Sequence, residues 1–156
     1  MCYLIIWKNI NRKEDEKMSA LFTTSVIATG GRSGRVVSED NIIDMQLVSP
    51  KELGGPGGEG TNPEQLFAAG YSACFDGALN LVIRKQKADV SSTSVKADVH
   101  FLKDESDGGY KIAVTLNVSV QGVDQEKAEE LVEAAHQVCP YSKATRGNVD
   151  VELKVN

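Results

Sequence analysis

Two of the three cysteines occupy positions where they could react together. Cys74 and Cys139 each fall on the apolar stripe of a predicted helix, so both thiols can face one core although they are far apart in sequence. The thiolate form of cysteine is a nucleophile, which makes a redox or covalent role possible. Free cysteines also serve as small buried hydrophobic residues, so their placement alone leaves both interpretations open.

Polar strings elsewhere in the chain favour a reactive thiol. Arg32 follows two glycines, Glu64 ends the string TNPE, and Cys139 opens the string CPYS. A cation beside a thiol stabilises the thiolate and lowers the thiol pKa. These residue types therefore favour nucleophilic chemistry over a purely structural role.

Other site types find less support in the sequence. The two histidines, His100 and His136, are far apart and no CxxC string occurs, so no metal site is predicted. Gly55, Gly57 and Gly60 match the spacing of a dinucleotide fingerprint, but the acidic residue that this motif needs at a strand end would fall inside a helix, so no cofactor is predicted.

Two further functions remain as alternatives. A hydrolase could pair Cys74 with His136 or His100, although neither histidine comes with an obvious acid to orient it. A non-catalytic redox sensor or binding module could use the same thiols. The sensor would consume its oxidant at most stoichiometrically.

Composition limits the setting in which these thiols work. The 156 residues suffice for one domain, and 41% hydrophobic with 25% charged residues is typical of a globular chain. Three cysteines are too few for a secreted disulfide framework, which predicts a reducing, cytoplasmic location. The basic residues are scattered and the net charge is −5, so no nucleic-acid partner is predicted. The chain lacks an apolar run of roughly 18 residues, so no membrane span is predicted.

The first 17 residues differ from the rest of the chain. An apolar run precedes a charged run there, and no basic segment comes first, so the order does not fit a signal peptide. We interpret 1–17 as an extension outside the fold, with Cys2 incidental, and 18–156 as the domain.

The elements that must position the thiols are predicted from hydrophobic periodicity and from the residues that cap or end helices. Asn62 or Thr61 can cap a helix that Pro63 opens, and Pro140 closes a second helix that Asp124 caps. The predicted fold is α+β in the order β-β-β-α-β-β-α-β, with helices on one side of a largely antiparallel sheet. Its strands are predicted at 20–27, 35–38, 42–48, 93–102, 110–120 and 149–155, and its helices at 63–87 and 124–139.

Three long strings carry a family resemblance. ATGGRSGRVVSED at 28–40, GTNPEQLFAAGYSACF at 60–75 and HQVCPYSKATRGNVDV at 136–151 resemble the organic hydroperoxide resistance (Ohr) proteins of the Ohr/OsmC family. The resemblance covers residues 18–156. It implies a two-layer fold and an intertwined homodimer with active sites at the interface.

The same resemblance implies roles for four residues. Cys74 would attack the peroxide, Cys139 would resolve the sulfenic acid, and Arg32 with Glu64 would be the polar pair beside the reactive sulfur. The implied reaction reduces organic hydroperoxides to alcohols through a Cys74–Cys139 disulfide. The implied reductant is an external dithiol, the lipoyl group of a carrier protein.

One geometric difficulty accompanies these roles. On an unbroken helix Glu64 and Cys74 are separated by a rise of about 15 Å, so they cannot both contact one arginine. Either the helix breaks at 70–72, with Ser72 capping a second helix, or another subunit completes the site. Small residues on the helix, among them Gly70, Ala73 and Gly77, favour close approach of another backbone and hence a homodimer.

Preference for an organic substrate would require an apolar pocket near Cys74. The candidate lining residues on the same helix are Leu66, Phe67, Tyr71 and Phe75. Each of these side chains could instead belong to the core.

Overall fold

The computed structural model describes residues 19–156. The predicted extension 1–17 and Cys2 lie outside the described residues. The elements in chain order are β1 (Val26–Thr29), β2 (Arg35–Ser38), β3 (Asp44–Gln46), α1 (Pro63–Gln86), β4 (Ser92–Lys103), β5 (Tyr110–Gln121), α2 (Gln125–Val138), α3 (Pro140–Thr145) and β6 (Val151–Val155). Short 3₁₀ turns occur at Gly31–Ser33 and Lys51–Leu53. The predicted α+β order is confirmed, with α3 as an additional helix.

Helix α1 runs without interruption, so the break at 70–72, one of the two alternatives left open by the sequence, does not occur. The Asn62 side chain caps it by accepting from the Gln65 N–H at 2.8 Å, and Lys87 ends it in the left-handed conformation. The Ser72 hydroxyl donates to the Ala69 carbonyl at 3.1 Å instead of capping a new helix. A glycine inside a helix costs about 0.5–1 kcal/mol, and burial of the side chains beside Gly70 offsets that cost.

The main sheet carries the core of the molecule. β4 pairs antiparallel with β5, and β6 pairs parallel with β5, because α2 crosses between them. Alternate β5 side chains face α1 and α2, and the predicted apolar stripe of α2 is buried as expected. The fully or nearly fully buried core residues are Tyr71, Phe75, Leu79, Val114, Leu116, Val118, Ala128, Leu131, Val132, Ala135 and Cys139.

A small N-terminal sheet lies apart from this core. β1, β2 and β3 pair in antiparallel order, with Val26 opposite Ser38 and Val36 opposite Met45. The sequence predicts that β1 begins at residue 20, but it begins at Val26, because its partner strand β2 ends at Ser38, opposite Val26. Val26, Ile27 and Met45 remain exposed, so this sheet leaves apolar surface uncovered within a single chain.

Helix α1 combines length with an apolar composition. It has 24 residues, and by length and composition alone it could cross a membrane, with a mean hydropathy of 1.4 in its most apolar stretch. Its side chains Tyr71, Phe75 and Leu79 are fully buried against the sheet and α2. Burial of this one face in the protein core therefore accounts for part of the composition.

Candidate active site

The two thiols meet as the sequence predicts. Cys74 lies in the middle of α1, and Cys139 lies between α2 and α3. Their sulfur atoms are 3.7 Å apart, and both cysteines are free. Cys139 is completely buried, whereas Cys74 is partly exposed. An incoming reagent can therefore reach Cys74 first.

The turn at Cys139 arises from its neighbour in the sequence. α2 ends at Val138, and Pro140 takes the first position of α3, where a missing N–H has no cost. Sequence reasoning took Pro140 only as the end of α2 and missed the six-residue α3. Proline at a helix start was the signal that could have revealed it.

Helix α3 brings further groups to the thiols that sequence reasoning did not single out. Ser142 and Thr145 are buried and lie within hydrogen-bond distance of the Tyr71 hydroxyl. Tyr71 and Phe75 are fully buried, so they belong to the core and not to an open pocket as suggested from sequence. Phe67, partly buried, packs edge-on to Tyr71 with ring centroids 6.0 Å apart.

The surroundings of Cys74 within one chain oppose ionisation. Burial raises the pKa of the Cys74 thiol, and the hydrogen-bonded Cys139 thiol raises it further. A hydrogen bond from the backbone N–H of Tyr141 acts in the opposite direction and lowers it. Arg32 is not among the groups that shift this pKa within the described chain. The role of Arg32 in activating Cys74 therefore stays a prediction.

Arg32 and Glu64 form the second half of the predicted site. The guanidinium of Arg32 donates to both carboxylate oxygens of Glu64, at 2.9 and 2.5 Å. This bidentate pair holds the pKa of Glu64 below its usual value and raises that of Arg32. Arg32 also lies over the ring of Phe101, 5.2 Å from its centroid.

Local backbone geometry places this ion pair. Gly30 and Gly31 both have positive φ angles, and a Cβ on Gly30 would approach the Gly34 Cα to 2.9 Å. This tight turn presents Arg32 from the N-terminal sheet. Glu64 lies in the first turn of α1, where its charge also favours the positive end of the helix dipole.

The four predicted residues thus form two separate pairs. Arg32 pairs with Glu64 at the start of α1, and Cys139 pairs with Cys74 in its middle. Glu64 and Cys74 lie ten residues apart on one unbroken helix, a rise of about 15 Å. The structure brings Cys74 to Cys139 and Arg32 to Glu64, but it does not bring the two pairs together within one chain. The other alternative from the sequence, a second subunit that completes the site, stays a prediction.

Two clefts border the Arg32–Glu64 pair. One has a volume of about 570 Å³ and is lined by Arg32, Leu53 and Phe101 among others. The other, of about 630 Å³, is lined by Glu64, Ala68 and Phe101 among others. Apolar side chains and one ion pair therefore share this end of α1.

The histidines lie in other environments. His100 bonds to Thr115 at 3.1 Å on the polar face of the main sheet. Burial beside Phe75 lowers the pKa of His136, whose Nδ1 atom has no partner among residues 19–156. Within those residues no histidine is hydrogen-bonded to Cys74, and no group of three His, Cys, Asp or Glu side chains is arranged to hold a metal ion.

Comparison with known proteins places this arrangement in a family. The family model described as OsmC-like protein matches residues 55–154. Organic hydroperoxide resistance protein OhrB of Bacillus subtilis is 55% identical over 136 residues, covering 87% of this chain and 98% of that protein. The organic hydroperoxide resistance protein of Xanthomonas axonopodis pv. citri is 51% identical over 133 residues, covering 85% of this chain and 93% of that protein.

Solved structures agree with the sequence comparison. The crystal structure of B. subtilis OhrB matches with a TM-score of 0.81 at 53% identity, covering 88% of this chain and all of that one. An organic hydroperoxide resistance protein OsmC from Legionella pneumophila matches with a TM-score of 0.84 at 47% identity, covering 88% of this chain and 99% of that one. The chain therefore belongs to the Ohr/OsmC family.

Proposed function

We propose that this protein is a cysteine-based peroxidase that reduces organic hydroperoxides to alcohols. The observation that carries the proposal is the pair of sulfur atoms 3.7 Å apart, one partly exposed and one buried. The names of the B. subtilis and X. axonopodis relatives support organic hydroperoxides as the substrate class.

Cys74 carries the first step. Its thiolate attacks one oxygen of the peroxide bond, that bond breaks, and the alkoxide leaves and takes up a proton as the alcohol. Cys74 becomes a sulfenic acid, and the hydroperoxide is reduced by two electrons. Cys139 is completely buried, so it does not compete for the substrate.

Cys139 carries the second step. Its thiol attacks the Cys74 sulfenic sulfur, the S–S bond forms, and the hydroxyl group leaves as water with the thiol proton. The sulfurs must move from 3.7 Å to about 2.0 Å, which requires little more than side-chain rotation. An external dithiol, which we propose to be a lipoyl group, then reduces the disulfide.

Activation of Cys74 requires a cation from outside its own chain. Burial holds its pKa above the usual value, and the same chain places Arg32 at the far end of α1. We propose that Arg32 of a second copy approaches Cys74, with Glu64 fixing the orientation of the guanidinium. A guanidinium stays protonated and can also donate to the peroxide oxygen that becomes negative.

Uncovered surface supports such a homodimer. One side of α1 exposes the small residues Ala69, Ala73 and Gly77 together with Leu81. The N-terminal sheet that carries Arg32 exposes further apolar side chains. Pairing of two copies about a twofold axis would bury both surfaces and bring the sheet of one copy to α1 of the other.

The cellular setting is part of the proposal. Three cysteines are too few for a secreted disulfide framework, which fits a reducing compartment such as the bacterial cytoplasm. We propose 18–156 as the peroxidase domain and 1–17 as an extension without a role in catalysis. Nucleic acid, membrane, metal and cofactor have no part in the proposed reaction.

Steady-state turnover tests this function against a stoichiometric redox sensor. The purified protein is mixed with dihydrolipoamide, dithiothreitol or glutathione, and consumption of cumene hydroperoxide is compared with that of hydrogen peroxide. We expect many turnovers with the dithiols, faster consumption of the organic peroxide, and a Cys2→Ser control with full activity. Consumption that stops at one peroxide per chain would instead identify a sensor.

A further inference from the structure

Three hydroxyl groups form a buried cluster behind the thiols. The Tyr71 hydroxyl lies 3.0 Å from that of Ser142 and 3.2 Å from that of Thr145. Tyr71 and Ser142 are 0% exposed, and Thr145 is 5% exposed. We call these three residues the hydroxyl cluster. It joins the middle of α1 to both turns of α3.

Every hydroxyl hydrogen of the cluster has a partner. Thr145 donates to the carbonyl of Tyr141 at 2.9 Å, which leaves its oxygen free to accept from Tyr71. Tyr71 then accepts from Ser142. Because these groups are buried, removal of one of them would leave another polar atom without a partner, at a substantial cost.

Helix α3 depends on such contacts for its position. It has six residues, and an isolated helix of that length is unstable in water. Its first turn carries the backbone N–H of Tyr141, which lowers the pKa of the Cys74 thiol, and Cys139 immediately precedes the helix. The location of both groups is therefore set by what holds α3 against α1.

A second contact holds the same turn. The Tyr141 ring lies against Tyr71 and Phe67, with centroid distances of 5.8 and 6.4 Å. A Cβ at position 70 would come within 3.1 Å of the Tyr141 hydroxyl oxygen, so Gly70 leaves room for this ring. Tyr71 takes part in both contacts: its ring meets Tyr141 and its hydroxyl meets the cluster.

We propose that Tyr71 is a positioning residue for disulfide closure, acting through the hydroxyl cluster to hold Cys139 within reach of Cys74. The inference rests on the proposed function of the two thiols. Tyr71 does not touch the reacting sulfurs. It keeps α3 in register, so that the Cys139 thiol has a high effective concentration at the Cys74 sulfur.

The consequence is a choice between two fates of the oxidised Cys74. Attack by Cys139 on the sulfenic sulfur gives the disulfide and water. Attack of the sulfenic acid on a second hydroperoxide gives sulfinic acid and one more alcohol, and that product is not recovered by thiols. Slower closure therefore converts a larger fraction of the enzyme into the inactive form.

A chromogenic disulfide separates the two steps without any peroxide. In a Cys2→Ser background, the Cys74 thiolate attacks 4,4′-dithiodipyridine, its S–S bond breaks, and one thiopyridone leaves. The Cys139 thiol then attacks the Cys74 sulfur of the mixed disulfide, and a second thiopyridone leaves with the proton. Stopped-flow absorbance resolves these as two phases.

We expect Tyr71→Phe to slow the second phase about tenfold while the first phase changes less than twofold. Ser142→Ala should slow the second phase about threefold, since Tyr71 keeps Thr145 as a partner, and it replaces the first variant if Tyr71→Phe fails to fold. Tyr110→Phe is the matched control, because this exposed hydroxyl has no hydrogen bond among the described residues. Both of its phases should match the parent protein.

Two outcomes would overturn the inference. A second phase that is unchanged in the folded variant would show that Tyr71 does not position Cys139. Equal slowing of both phases would reveal a general structural defect rather than a defect in closure. Failure of the parent protein to reduce cumene hydroperoxide would count against the proposed function alone, since the probe contains no peroxide.

Discussion

The two sulfurs differ in surroundings, and that difference assigns their order of reaction. Cys74 is partly exposed and accepts a hydrogen bond from the Tyr141 N–H, whereas Cys139 is sealed in the core. A peroxide that enters from solvent therefore meets Cys74, and Cys139 can react only with a sulfur already beside it.

Replacement of each thiol should separate the two steps. Cys74→Ser should abolish peroxide consumption, because no other described thiol is accessible. Cys139→Ser should still form one sulfenic acid per chain, which dimedone labelling followed by mass spectrometry detects. Sustained turnover by Cys74→Ser would contradict the assignment, and Cys2→Ser serves as the control for loss of a thiol.

Arg32 should control the ionisation of Cys74 in the assembled protein. Burial raises the Cys74 pKa, so without a nearby cation the thiolate fraction at neutral pH falls. We expect Arg32→Ala to shift the pH profile of iodoacetamide alkylation at Cys74 to higher pH. The enzyme should lose most of its activity at pH 7 and recover part of it as pH rises.

Arg35→Ala provides the matched control for this shift. Arg35 follows Arg32 closely in sequence but pairs with Asp44 on the exposed side of the N-terminal sheet. Its alkylation profile should match that of the parent protein. Identical profiles for Arg32→Ala and the parent protein would remove Arg32 from the site.

At the scale of elements, the sequence predicts what depends on local chemistry. The start of α1 at Asn62 and Pro63, the hairpin between β4 and β5, and the apolar stripe of α2 all agree with the structure. Capping residues, turn residues and periodicity are local signals. Those signals allowed Cys74 and Cys139 to face one core, and the family resemblance implied that the two thiols react together.

What could not be predicted depends on tertiary contacts. Helix α3 is too short to give a periodic pattern, and its Ser142 and Thr145 side chains bond to Tyr71, which is distant in sequence. The sequence left open a helix break at Gly70, which is instead a place where the ring of Tyr141 approaches α1. The direction of the Cys74 pKa shift likewise depends on burial, which no local pattern reveals.

Removing the capping side chains of α1 and α2 tests whether the first turn of α1 supports the active site. Asn62 caps α1 at 2.8 Å from the Gln65 N–H, and Asp124 caps α2 at 2.9 Å from the Lys127 N–H. Asn62→Ala and Asp124→Ala should each lower the free energy of unfolding by about 1 kcal/mol in urea titrations. Only Asn62→Ala should also reduce peroxidase activity, because it loosens the turn that carries Glu64.

Asp124→Ala is therefore the control for stability without a change at the site. Equal loss of activity in both variants at a temperature where both are folded would show that the first turn of α1 has no special role. Full activity of Asn62→Ala at normal substrate affinity would lead to the same conclusion.

At the scale of the whole molecule, the proposed mechanism requires a second copy of the chain to complete each site. The thiol pair and the Arg32–Glu64 pair lie about 15 Å apart along α1, and both the N-terminal sheet and one side of α1 expose apolar surface. A dimer that joins these surfaces would complete two equivalent sites. Sedimentation equilibrium at micromolar concentration should give twice the chain mass of 16.8 kDa.

Mixing two inactive variants tests whether the partner completes the site. Arg32→Ala keeps Cys74, and Cys74→Ser keeps Arg32. If Arg32 acts on Cys74 of the other copy, a mixed dimer has one site with both groups intact and one site with neither. Random pairing makes half of the dimers mixed, so refolding the variants together should restore about one quarter of the parent activity.

Recovery should require joint refolding and should be absent when the folded homodimers are combined and assayed at once. No recovery in verified mixed dimers would mean that each chain uses its own Arg32, and an active monomer would exclude the shared site altogether.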